Sequence, residues 1–184
     1  WTNAWSNTAN IVWSNIQPGD TIWFAGGSYG VFTPGKSGNA DTEAGRIFVK
    51  RATASIHGSD TGWGVSYDNQ VTFNYISFNT VGNGSYFTID GQVEGGIKVS
   101  VGVGEGVALL IYRAASYITI KYVELAGPCP TAAACTQGGD NRGLSTVTYW
   151  NGSFREQITN LLFQNSKIHG FCNLVWWMNT DDSI

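Results

Sequence analysis

A 184-residue chain is long enough to bury one sizeable core, and 42% hydrophobic and 14% aromatic residues against only 12% charged ones exclude a disordered segment. A net charge of −3, with Lys50-Arg51 the only basic neighbours, excludes a phosphate-tracking nucleic-acid binder. The longest apolar run, residues 106–112, is far shorter than the roughly 20 residues of a membrane-spanning helix.

The chain opens at Trp1 without an initiator methionine, which is read as a processed or truncated product, a removed secretion signal being the simplest explanation. A secreted or cell-surface setting is therefore expected. Residues 1–15 are expected to form an N-terminal cap, with Trp1, Trp5 and Trp13 at helix-compatible spacing. Pro18-Gly19-Asp20 is a turn that feeds residues 21–24, where Ile22 and Phe24 point to one side. Further β-branched and aromatic runs follow at 46–50, 70–73, 87–90, 108–112, 117–125, 160–165 and 174–177. Gly, Asn, Asp and Ser clusters separate them, the punctuation of strands and turns, and almost nothing reads as helix. His57-Gly58-Ser59-Asp60 with Trp63 reads as a structured loop, because residues adjacent in sequence rarely converge as a catalytic triad. Asp90-Gly91 reads as a turn.

Of the three cysteines, Cys129 and Cys135 flank a short segment. They read either as free thiols or as a local disulfide, and an oxidising extracellular setting favours the disulfide. Cys172 lies among Phe171, Leu174 and Val175 and reads as a buried core thiol.

Internal repetition separates a solenoid from a sandwich or barrel. Residues 117–127 align with 160–170, so that Ile118 matches Leu161, Ile120 matches Phe163, Leu125 matches Ile168 and Gly127 matches Gly170. Residues 71–78 repeat the same shape, with Val71 matched to Ile118. Ile22, Ile47 and Val71 stand 25 and then 24 residues apart, and Leu161 to Ile184 is 23. The spacing predicts coils of about 24 residues, with Ile22, Ile47, Val71, Ile118, Leu161 and Ile184 in one inward ladder. The 43-residue step from Ile118 to Leu161 is read as one coil plus a loop insertion at 128–156. Ile184 falls where a new coil should begin and no polar capping repeat follows, so the last coil is expected to be cut or covered by another molecule.

Ile16-Gln17-Pro18-Gly19-Asp20-Thr21-Ile22, followed by Gly26-Gly27-Ser28-Tyr29, resembles the phrase that opens the first full coil of the pectate-lyase-like right-handed parallel β-helix proteins. Arg46-Ile47-Phe48-Val49-Lys50-Arg51-Ala52 and Phe87-Thr88-Ile89-Asp90-Gly91 resemble their later coils. The resemblance implies an all-β, right-handed parallel β-helix over residues 1–184, the N-terminal part of such a solenoid without its C-terminal cap. In lyase members of that superfamily a Lys or Arg abstracts the proton beside a uronate carboxylate, while Ca²⁺ or cationic side chains neutralise that carboxylate. The implied partner is a polysaccharide and the implied cofactor is Ca²⁺. Lys167, His169 and Arg142 are the catalytic candidates, and Glu124, Asp181 and Asp182 the metal-ligand candidates. Each has a structural alternative: Glu124 over Lys167 as a cross-rung ion pair, His169 as a turn residue, and Asp181-Asp182 as the turn before the next rung.

Trp150 in the insertion and Trp176-Trp177 in the last coil are candidates for stacking on sugar rings, against an equal reading as packing residues. Three functions remain open. They are a glycan-active enzyme acting on acidic polysaccharide, a fibre or adhesin subunit that self-associates through its open C-terminal coil, and a tailspike-like glycan-binding module.

Overall fold

The computed structural model describes residues 1–78, 83–102, 106–129, 141–150, 155–172 and 174–179. Several of its short strands alternate between core and surface. In Ile47–Arg51, Ile47 and Val49 are fully buried while Phe48 and Lys50 are partly exposed.

The chain makes five passes, each giving one strand to each of three sheets. The first pass is β1 (Thr21–Phe24), β2 (Gly27–Ser28) and β3 (Val31–Phe32). The second is β4 (Ile47–Arg51), β5 (Val71–Phe73) and β6 (Tyr75–Phe78), and the third β7 (Phe87–Asp90), β8 (Ile97–Ser100) and β9 (Val107–Tyr112). The fourth is β10 (Ile118–Lys121), β11 (Val123–Ala126) and β12 (Arg142–Val147). A two-stranded antiparallel ribbon, β13 (Tyr149–Trp150) with β14 (Arg155–Glu156), follows it. The fifth pass is β15 (Leu161–Gln164), β16 (Lys167–His169) and β17 (Leu174–Asn179).

The sheets run β1-β4-β7-β10-β15, β2-β5-β8-β11-β16 and β3-β6-β9-β12-β17, with every neighbouring pair parallel and in register. Three parallel sheets with little helix are consistent with a β-helix-like fold. No single pass encloses a core, but stacked passes do. Ile47, Phe87 and Ile118 form one buried ladder of the first sheet, and Val49, Ile89 and Ile120 another. Val71, Ile97 and Val123 face them from the second sheet, and Phe32, Ile76, Leu109 and Leu144 from the third.

Several corners need positive φ. Tyr86, Tyr117 and Asn160 precede β7, β10 and β15 at φ 56°, 58° and 53°, a conformation uncommon for residues other than glycine. The Tyr86 and Tyr117 rings stack on each other at 4.7 Å and 16°, so the strained corner recurs under a shared aromatic contact.

The structure revises the predicted period. Along the first sheet Phe48 lies 27 residues after its partner Thr21, Thr88 40 after Phe48, Thr119 31 after Thr88, and Leu162 43 after Thr119. The steps vary because the links between sheets vary in length; the link between β4 and β5 alone carries an α turn, Ala54–His57, and a 3-10 turn, Val65–Asp68. Val71 consequently belongs to the second sheet, between Gly27 and Ile97, and Phe87 takes the first-sheet place expected for it. Ile22 pairs with Val49 instead of Ile47. Ile118 over Leu161 holds, and Ile184 lies outside the described residues.

Two further expectations change. Residues 1–15 contain 3-10 turns at Thr8–Asn10 and Trp13–Asn15 and no α-helix. The segment is held by Ile11, which is buried, and by Trp13, which packs on Phe32 and Phe87, while Val12 between them is exposed. The predicted insertion at 128–156 is not one excursion, because β12 within it is a full strand of the third sheet between β9 and β17. The β13–β14 ribbon is the part that leaves the sheets.

The disulfide is also corrected. Cys129 bonds Cys172, with Cα atoms 6.4 Å apart, so Cys172 is not a free core thiol and Cys129 is not paired with Cys135, which lies outside the described residues. The reason is register. Gly127 N–H donates to His169 O at 2.8 Å and Cys129 N–H to Gly170 O at 2.9 Å, which carries the alignment of neighbouring passes onward to the cysteines. The bond therefore joins equivalent points of the fourth and fifth passes, within the Cα range a disulfide spans.

Candidate functional site

Alternation along β8, β11 and β16 turns Lys98, Glu124 and Lys167 to the outer face of the second sheet, and register stacks them in one row with Thr72. His169, two residues beyond Lys167, shares that face. Glu124 Oε1 lies 3.2 Å from Lys98 Nζ and 2.9 Å from His169 Nε2, and its side chain is 20% exposed. Lys167 is bound instead to Glu94, and both of these side chains are largely exposed. The expected pairing of Glu124 with Lys167 is thus correct in register, but the ion pairs fall to other partners.

The charge states follow. Burial raises the Glu124 pKa, but hydrogen bonds from His169 and Lys98 outweigh it, and the group is held below the usual carboxylate value. The hydrogen bond and charge of Glu94 raise the Lys167 ammonium above the ordinary lysine value. Lys167 is therefore a firm cation, the opposite direction from that needed by a proton-abstracting amine. Beside it a cleft of about 400 Å³ opens between Glu94, Tyr122, Asn165, Ser166 and Lys167. Ser166 is occupied structurally, accepting from Val123 N–H at 3.0 Å and donating to Gln164 O at 2.8 Å.

The other candidates are placed elsewhere. Arg142 opens β12 in the third sheet, in register with Val107 and Leu174, and so lies on a different sheet from Lys167 and His169. Trp176 and Trp177 are in register with Leu144 and Ser145 on β17, and Trp150 is on the β13–β14 ribbon; their side chains are not among those described. Asp181 and Asp182 lie outside the described residues, and among the described residues no three His, Cys, Asp or Glu side chains gather as a metal site. Asp90 closes strand β7 instead of standing in a turn, and its carboxylate is structural: its Oδ1 accepts from Gln92 N–H at 2.8 Å, and Lys121 pairs with its other oxygen at 3.0 Å.

Lys98 and Glu94 were not among the sequence candidates. The signal for Lys98 is present in Ile97-Lys98-Val99-Ser100, a strict alternation of buried and partly exposed residues. Glu94 lies in a turn, and nothing in its spacing points to Lys167. No protein-family model, curated protein or solved structure matches this chain.

Proposed function

We propose that this chain is a secreted right-handed parallel β-helix of the pectate-lyase-like kind that binds acidic polysaccharide on the outer face of its second sheet. Parallel strands joined by crossovers are right-handed in about 98% of cases, which supports the handedness. The observation that carries the binding reading is the row of Lys98, Glu124 and Lys167 with His169, beside the 400 Å³ cleft. The Lys167–Glu94 pair is exposed, and exposed pairs are weakly held. A uronate carboxylate can displace Glu94 from Lys167, while Tyr122 and Asn165, which line the same cleft, supply an aromatic ring and an amide for the sugar. With Lys167 a firm cation and Glu124 ionised, the face favours neutralising a bound carboxylate over abstracting a proton.

Calorimetry with hexagalacturonate tests this reading. The chain should bind it with an affinity that falls as salt rises, and Lys98→Ala with Lys167→Ala should weaken it by roughly tenfold or more. Equal binding by the double variant, or no binding by the parent, would overturn it.

A further inference from the structure

A second cleft, of about 820 Å³, lies at the other end of the stack, between residues 1–7, β1 and the loop through Thr61 and Tyr67. Its size is that of a small-ligand site, for which roughly 300–1,000 Å³ is usual. Three features bear on what it holds.

The walls are aromatic and fixed. The Trp1 ring stands edge-on to Trp63 at 5.2 Å and to His57 at 5.2 Å, and its Nε1–H donates to Asp60 at 3.1 Å. Asp60 also holds His57 Nδ1 at 2.8 Å. The loop expected from His57-Gly58-Ser59-Asp60 and Trp63 is thus the bracket that orients Trp1. Tyr29 is anchored by its hydroxyl, which donates to Ala25 O at 2.9 Å.

One ring is left open. Trp5 lines the cleft, is 44% exposed, and makes none of the ring contacts that fix Trp1 and Tyr67. Asn7, also in the lining, makes no capping bond to the 3-10 turn it precedes. The lining has no Lys, Arg, Asp or Glu side chain. The charge on a lining residue, the Trp1 ammonium, is engaged by Thr61 O at 2.6 Å, so an ionic ligand would be desolvated there without a side-chain countercharge.

We infer that this cleft binds a neutral β-linked gluco-oligosaccharide. Its pyranose rings carry equatorial hydroxyls and flat C–H faces. Such a face stacks on Trp5 and against the fixed Trp1, while the hydroxyls at the ring edge take amide hydrogen bonds from Asn3 and Asn7. The site shares no residue with the second-sheet face, so either can fail without the other.

The test is calorimetry and tryptophan fluorescence of the full 184-residue chain with cellohexaose, beside maltohexaose and hexagalacturonate. Cellohexaose should bind and shift the emission. Trp5→Ala and, separately, Asn7→Ala should each weaken it by roughly tenfold, with circular dichroism unchanged. Hexagalacturonate binding should be the same in Trp5→Ala as in the parent, and cellohexaose binding the same in Lys98→Ala/Lys167→Ala. No binding of cellohexaose, equal binding by both cleft variants, or equal affinity for maltohexaose would overturn the assignment.

Discussion

Glu124 is packed between two lysines of its own row, yet it answers to Lys98 and to His169 across the diagonal. Its pKa is lower in the folded chain than the ordinary 4.5. The stability it contributes is therefore fully present above about pH 4.5 and is lost as pH falls through the lower folded value. Thermal melts should show Glu124→Gln below the parent near neutral pH, with the gap closing as the pH is taken well under 4.5. A gap independent of pH would mean that Glu124 acts only through packing. Arg46 offers a second prediction at this scale. Its Nη1 donates to Phe87 O at 2.8 Å, Thr88 Oγ1 at 3.2 Å and Tyr117 O at 3.0 Å, tying the second pass to the third and to the corner before the fourth. Lysine keeps the charge but not the planar fork. Arg46→Lys should cost about 1.5–3 kcal/mol in denaturant titration, the range for hydrogen bonds to charged groups.

Neighbouring strands are held at their ends by backbone proximity and by one covalent bond. A Cβ on Gly127 would lie 2.1 Å from Gly170 O, where only backbone could yield. Gly127→Ala should therefore destabilise the chain by about 3 kcal/mol, against a near-neutral outcome if β11 and β16 are not paired this closely. The Cys129–Cys172 bond closes a loop of sequence separation 43, for which the chain-entropy relation gives about 4 kcal/mol. Non-reducing peptide mapping should recover Cys129 joined to Cys172, with Cys135 alone open to alkylation, and reduction should lower the melting temperature by roughly 10 °C. This bond was legible. The alignment that sets Ile118 over Leu161 and Glu124 over Lys167 sets Cys129 over Cys172 at the same offset. The short Cys129–Cys135 spacing drew the expectation to the local pair instead. Only the Glu124–Lys167 part of the outer-face row was legible, since β11 and β16 follow short corners that align, whereas β8, which carries Lys98, follows the longer link after Asp90. The ion-pair partners were not, because Glu94 enters from a turn.

At the scale of the whole molecule, strand alternation and the local repeat were legible, and the period was not. A constant step of 24 residues requires links of constant length. Here the link between β4 and β5 is long enough to hold its own helical turns, so the 24 residues from Ile47 to Val71 carry the chain only from the first sheet to the second. The aromatic cleft was equally hidden, since Trp5, Tyr29 and Tyr67 converge only through the path of those links. The fold depends above all on unequal sequence steps bringing strands side by side in three sheets at once. Cysteine pairs test it in a Cys135→Ser background: Thr119 with Leu162 in the first sheet, Thr72 with Lys98 in the second and Ser77 with Leu110 in the third. Register partners on adjacent strands lie about 4.8 Å apart, within reach of a disulfide, whereas Thr72 and Glu124, two strands apart, do not. Mild oxidation followed by mass spectrometry should show all three pairs bonded within one chain and the Thr72–Glu124 control unbonded. Failure of any one sheet's pair to close, or closure of the control, would contradict the stacked three-sheet arrangement.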